Sequence, residues 1–410
     1  MKNSKSIRVY YAEAIYGEEE ITAVTSVLRD SSTMLMDHDK VRQFEQKVCS
    51  IFGKEFGVMV NSGSSANLLA VSALELPPKS EVITPALTFS TTVAPIIQNQ
   101  LIPAFVDVEE DTYNIQIDAI EELISENTKA LMVPNLLGNL SDWTAIKSIA
   151  DKYNLIIIED SADTIGSKYK KGTTGEISDF VTTSFYGSHV ITCGGFGGMI
   201  CTNHIELYKR SKLLQGWGRN SNLDQDSETI DKRFDQSVDG ITYDAKFIFS
   251  QIGYNFLPSE LSAAFGLAQL RKLDLFIQKR IENFRSLYEY FENYRHWFIL
   301  PRQQQHTETA WLAFPLTVKG NAPFTRTDLQ IYLETRGIQT RTIFSGNILR
   351  QPGFKHIPHR SASGGYPNAD QVMSGGILIG CHQGIDNKQL EYICDVFHTF
   401  ATKFSQPKIQ

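Results

Sequence analysis

Residues 155–167 read LIIIEDSADTIGS: four apolar residues run straight into Glu159 and Asp160, with Asp163 following shortly after. A run of this length and branching fits a buried strand of an α/β sheet. Such sheets bind ligands outside the carboxyl ends of their strands, so the three carboxylates stand at the rim of a site. An acid there can keep a heterocyclic nitrogen protonated, cap a helix or ligate a metal, and the stretch alone leaves these open.

Short apolar runs of the same kind recur on either side: GVMVN (57–61), EVITPALTF (81–89), IPAFVDV (102–108), ALMVPNLLG (130–138), FVTTSFY (180–186) and GMICTN (198–203). Helical spacing fills gaps between them, as in SSANLLAVSALEL (64–76) and DWTAIKSIADKY (142–153). This alternation predicts an α/β unit with a mostly parallel sheet. Residues 219–245 are polar, acidic and without period, which predicts a long surface loop. Beyond GYNFLPSEL (253–261), Leu267, Leu270, Leu273, Ile277, Ile281, Phe284, Leu287 and Phe291 keep steps of three and four, which predicts one long amphipathic helix. We expect a large α/β domain over 1–265, with the linking helix and a smaller α+β domain over 266–410.

The chain has 410 residues and a formal charge of −7, which argues against a nucleic-acid polymer as partner but leaves phosphorylated small molecules open. Its cysteines, at 49, 193, 201, 381 and 394, form no C-x-x-C pair, so reduced thiols are expected and a zinc or iron–sulfur site is not. MKNSKSIRVYYAEAIYGEEE (1–20) has no apolar signal core and no run approaches the length of a membrane span, so a soluble, cytoplasmic protein is expected.

Two further loops follow predicted strands. In VNSGSSANLLA (60–70), Gly63, Ser64 and Ser65 stand where a strand gives way to a helix, whose free N–H groups and dipole favour a phosphate; an ordinary serine cap reads equally well. In TTSFYGSHVITCGGFGGM (182–199), Ser184 and Ser188 are further phosphate-side donors, and His189 sits between them and a glycine-rich turn.

Taken in order, VNSGSSANLLA, ITPALTFSTTVAP, LIIIEDSADTIGS, TTSFYGSHVITCGGFGGMI and GYNFLPSELSAAFGLAQL resemble the pyridoxal phosphate-dependent sugar aminotransferases of the DegT/StrS family, from about residue 12 to the last helix. The resemblance implies the type I aspartate aminotransferase fold, with a seven-stranded, mostly parallel central sheet, and a homodimer with shared active sites. It implies that Ser64, Ser65 and Ser184 hold the cofactor phosphate and that Phe89 stacks on the pyridine ring. Asp160 would pair with the pyridine nitrogen, and Asn255 would reach the phosphate of the neighbouring subunit. Two positions depart: Asp163 stands where most members have glutamine, and His189 where they have the lysine that binds the cofactor covalently.

Imidazole cannot form that covalent link, yet its pKa of about 6.5 suits a general base. The cofactor, as pyridoxal or pyridoxamine phosphate, is therefore expected to be held noncovalently. The same swap marks the family's nucleotide-linked 4-keto-6-deoxyhexose 3-dehydratase branch, which NLLGN, GWGRN, EDSADTIG and SGNIL also resemble. That branch implies a lyase of deoxysugar and lipopolysaccharide O-antigen biosynthesis, with L-glutamate as amino donor and GDP-4-keto-6-deoxymannose as the nearest substrate. Arg219, Arg341, Ser188 and His382 are weaker candidates for substrate contact. A plain aminotransferase using another lysine, or a catalytically silent pyridoxal phosphate-binding regulator, are the competing readings.

Overall fold

The computed structural model describes residues 7–30, 34–223 and 229–405. Its larger sheet is built from β1 (Phe56–Val60), β2 (Glu81–Pro85), β3 (Ile102–Val106), β4 (Thr128–Pro134), β5 (Ile156–Asp160), β6 (Phe180–Ser184) and β7 (Gly198–Thr202). A second sheet takes β8 (Phe298–Ile299), β9 (Phe314–Val318), β10 (Thr340–Arg341) and β12 (Gly376–Ile379), while β11 (Arg360–Ser361) returns to the first. The principal helices are α1 (Glu18–Asp30), α2 (Asp39–Ile51), α3 (Gly63–Ala73), α4 (Ser90–Gln98), α5 (Trp143–Tyr153), α6 (Ile205–Gln215), α7 (Glu260–Leu270), α8 (Leu273–Phe291), α9 (Arg326–Glu334), α10 (Pro367–Gly375) and α11 (Asn387–Ser405).

Strand order in the larger sheet is β1-β7-β6-β5-β4-β2-β3-β11. All neighbours are parallel except β7, which runs against both β1 and β6. Successive side chains on β5 go to opposite faces: Ile158 packs with Ala66, Leu69 and Ala70 of α3, and Ile157 with Trp143 and Ile146 of α5. Burying each such aliphatic residue stabilises the fold by about 1.5–3 kcal/mol. The smaller sheet is antiparallel in the order β8-β9-β12-β10, and its apolar cluster takes in side chains of α8 to α11 and of the loops beside the larger sheet.

Three expectations are corrected. The larger sheet has eight strands, not seven, because Arg360 and Ser361 pair with Ala104 and Phe105 at its edge. A two-residue strand carries no readable period; it is held by Arg360 Nη1 on Glu81 Oε2 at 2.5 Å and on the Leu123 carbonyl at 2.9 Å. The helix over 267–291 breaks at Arg271-Lys272 into α7 and α8, where Gln269 Nε2 (2.8 Å) and Lys272 Nζ (2.7 Å) both reach the buried Glu20 Oε1. The stretch 219–245 is not structureless: it holds a short helix, Ile230–Phe234, and a hairpin pairing Gln236–Val238 with Ile241–Tyr243. Residues 224–228 of it lie outside the described residues.

Among the described residues no helix is long and apolar enough to cross a membrane, and no group of three or more metal-ligating side chains converges. The five cysteines are free thiols, four of them buried.

Candidate active site

A cavity of about 930 Å³ opens at the carboxyl ends of β4, β5 and β6. One wall is the start of α3, with Ser62, Gly63 and Ser64, and another is the β2–α4 loop with Phe89. Tyr11 and the segment from Arg341 to Phe354 close it from the smaller sheet.

The α3 end is built for close approach. Ser62 is the N-cap, its Oγ accepting from Ser65 N at 3.1 Å and donating to Ser65 Oγ at 3.0 Å. A Cβ on Gly63 would stand 2.6 Å from Ser184 Cβ, so only glycine lets the helix start meet β6. Ser64 and Ser184 thereby line the same cavity beside a helix N-terminus, a donor set that fits a phosphate. Ser65 turns back onto Ser62 and is not among the lining residues.

Asp160, at the end of β5, is buried, and its Oδ2 accepts from Asn67 Nδ2 at 2.9 Å and Thr92 Oγ1 at 2.8 Å. Asn67 is itself fixed by Thr182 Oγ1 on its Oδ1 at 2.5 Å. Among the described residues Asp160 Oδ1 has only the long bond from Ala162 N, 3.3 Å, and retains capacity for a further donor. Burial raises the Asp160 carboxyl above the ordinary range, against Asn67 and Thr92, which favour the ionised form. A protonated heterocyclic nitrogen is a partner that such a carboxylate fits.

His189 lies in the loop after β6, and its side chain is 14% exposed. Its Nδ1 stands 3.2 Å from Asp163 Oδ1, close enough for a charge contact but bent from the line of a full hydrogen bond. Asp163 Oδ2 accepts from Leu137 N at 3.1 Å, and Leu137 holds the left-handed φ of 58° that presents this N–H. The Tyr186 ring meets the imidazole edge-on at 6.3 Å. No lysine is among the described residues that line the cavity.

Phe89 lines the cavity half-exposed, with Phe344 edge-on at 5.9 Å. The two segments are strapped together below: Ser345 Oγ donates to Thr88 O, Ile348 N to Ala86 O at 2.9 Å, and Leu87 bridges Asn347. Ser188 and Arg341 also line the cavity, with Arg341 Nη1 on the Thr340 carbonyl at 2.7 Å.

Three sequence candidates lie elsewhere in this chain. Asn255 is exposed, bridging Gly216. Arg219 stacks on Trp217, 4.3 Å from its ring centroid, with Phe247 and Phe249 at 5.5 and 5.4 Å. His382 is 1% exposed and serves packing: its Nε2 is 3.2 Å from Tyr10 O, and its Nδ1 accepts from Gly384 N at 3.2 Å.

The sequence reading missed Asn67, Thr92 and Tyr11. An amide in the otherwise apolar ANLLAV of α3 was a signal for the first. Tyr11 had none, because its place depends on the pairing of Val9 with the loop Gly337–Gln339. Burial, then the Asp163 charge, push the Tyr11 hydroxyl above its ordinary value, while Arg280 and Arg341 oppose.

The chain is 36% identical to a dTDP-4-dehydro-2,6-dideoxy-D-glucose 3-dehydratase of Saccharopolyspora spinosa, over 98% of this chain and 92% of that protein. It is 32% identical to a GDP-4-keto-6-deoxy-D-mannose 3-dehydratase of Yersinia pseudotuberculosis, over 94% and 97%. Among solved structures it is similar to an E. coli GDP-4-keto-6-deoxy-D-mannose-3-dehydratase with bound hydrated PLP, at a TM-score of 0.85 and 30% identity over 95% of this chain and 99% of that one. The aminotransferase fold expected from the motifs is thus the fold observed. The DegT/DnrJ/EryC1/StrS aminotransferase family matches residues 14–398, nearly the whole length, and the protein belongs to that family.

Proposed function

We propose that the protein is a pyridoxal phosphate-dependent 3-dehydratase of a nucleotide-linked 4-keto-6-deoxyhexose. The observation that carries this reading is His189, set beside Asp163 in a cavity whose described lining contains no lysine. Relatives named as 3-dehydratases support it.

Ser64 and Ser184, beside the start of α3, would hold the cofactor phosphate; Phe89 would cover the ring face, and Asp160 Oδ1 would receive the ring N–H. Bound without a covalent anchor, the cofactor would supply an electron sink and a transferable amino group, with glutamate as donor. With Nδ1 turned to Asp163, the imidazole has Nε2 for acid–base work. His189 Nε2 takes a proton and, as imidazolium, gives it to the departing C3 hydroxyl. The Asp163 carboxylate stabilises that imidazolium, which glutamine could not do. The net products are 2-oxoglutarate, ammonia and a 3-deoxy-4-ketosugar, the water lost at C3 being balanced by the hydrolysis that frees the ammonia.

Asn255 belongs, on this reading, to the site of a second copy. Exposed Met34, Leu35, Met36, Phe249 and Ile252 offer that copy an apolar contact. GDP-4-keto-6-deoxymannose is the proposed sugar nucleotide, although the dehydratase relatives are named for both dTDP and GDP sugars.

The test is a panel of GDP-, dTDP-, CDP- and UDP-4-keto-6-deoxysugars incubated with pyridoxal phosphate and glutamate. Mass spectrometry should show loss of the C3 oxygen with one nucleotide preferred. Borohydride reduction followed by peptide mapping should yield no pyridoxyl-lysine. A pyridoxyl-lysine from the cavity, or a 4-aminosugar product, overturns the reading.

A further inference from the structure

Arg280 is the one buried side chain of α8 that joins the smaller sheet to the His189 loop through a side-chain hydrogen bond among those described. It is fully buried, and none of its hydrogen-bond acceptors is a carboxylate. Nε donates to Gln383 Oε1 at 2.7 Å, Nη1 to the Trp311 and Leu312 carbonyls at 3.2 and 2.9 Å, and Nη2 to the His189 carbonyl at 3.4 Å. Gln383 Nε2 donates in turn to the next carbonyl, Val190 O, at 3.2 Å.

The contacts close on themselves. Leu312 N donates to Leu137 O at 2.8 Å, Leu137 N to Asp163 Oδ2 at 3.1 Å, and Asp163 Oδ1 faces His189 Nδ1 at 3.2 Å. The path leaves His189 by its carbonyl and returns to it by its ring. Burying a guanidinium whose hydrogen-bond acceptors are all neutral is unfavourable, and the nearby Asp163 charge opposes that cost without hydrogen-bonding to it. Docking α8 does not require it, because Asn283 one turn later already donates to the carbonyls of Cys381, His382 and Ile385.

We propose that Arg280 is a positioning residue for His189: its planar fork fixes the loop carbonyls and the Asp163 support together, so that the imidazole keeps one orientation and one tautomer. A lysine cannot span the same acceptors. The proposal rests on the acid–base role assigned to His189, so its test includes a readout independent of turnover.

That readout is the ¹⁵N shifts of the neutral His189 ring in the apoprotein at alkaline pH, assigned by their loss in His189→Asn. The parent should show mainly the Nδ1–H tautomer. Arg280→Lys and Arg280→Met should each mix the tautomers, whereas Asn283→Ala should leave the ring signals unchanged while lowering Tm. Gln383→Leu, which keeps the charge but removes the Nε partner and the Val190 bond, should move the same signals and serves if the Arg280 variants do not fold. In the loaded protein the glutamate half-reaction should slow roughly a hundredfold with little change in KM, as a misplacement of about 1 Å would produce. Unchanged His189 signals in a folded Arg280 variant, or in Gln383→Leu, overturn the proposal whatever the enzyme turns over. Altered signals with normal turnover leave the positioning intact and count against the acid–base role.

Discussion

On the proposed reading His189 carries the acid–base step, and the side chain nearest its Nδ1 is the Asp163 carboxylate. Asp163 Oδ1 stands 3.2 Å from His189 Nδ1, where a carboxylate orients the ring. Asp163→Asn should therefore slow sugar dehydration by roughly a hundredfold or more, measured as kcat with cofactor content checked by absorbance. The sugar KM should change little. A second prediction concerns Asp160: Asn67→Ala combined with Thr92→Val removes both donors to Oδ2. Its carboxyl should then rise further, and a pH titration of the bound cofactor's absorbance should show the ring-nitrogen proton lost at lower pH than in the parent. His189, Asp163 and Asp160 were legible because each ends or follows a strand within a motif. Asn67 and Thr92 were not, since their role arises only when α3 and α4 pack over the end of β5.

At the scale of elements, periodicity reported the strands of the larger sheet well, because each is a run of apolar residues long enough to count. It failed where a tertiary contact interrupts a regular pattern, as Glu20 does between α7 and α8. It also failed where an element is too short to have a period, as with β11. Gly63 illustrates an element junction: Gly63→Ala places a Cβ 2.6 Å from Ser184 Cβ, so the start of α3 must retreat from β6. Weaker pyridoxal phosphate binding is expected, read by equilibrium titration, with far-ultraviolet circular dichroism little changed. By contrast Thr325→Ala removes the capping box of α9, where Thr325 Oγ1 accepts from Asp328 N at 3.2 Å. It should cost about 1 kcal/mol of stability, seen in urea unfolding, and leave turnover unaffected.

At the scale of the whole molecule, the site draws on segments more than 300 residues apart, from Tyr11 to Phe354. His382 records the same long-range closure by holding the N-terminal segment through Tyr10 O. Burial first, and the nearby Arg280 charge second, pull its pKa down from 6.5 to about 4. Between those values the unfolded chain binds a proton that the folded one excludes. This contribution is thus intact above pH 6.5 and is lost as pH falls toward 4, on the order of 3 kcal/mol in all. Urea unfolding at pH 7 and pH 5 should show it, and His382→Gln should flatten that part of the dependence. The bridge of Leu87 to Asn347, with Ser345 on Thr88 and Ile348 on Ala86, bears on how the cavity is reached. It makes the Phe89 wall a spine rather than a door: the two sheets can part there only by breaking backbone pairing. On the proposed reading, a sugar nucleotide would instead come and go past Tyr186 and Phe196, lining residues that face solvent.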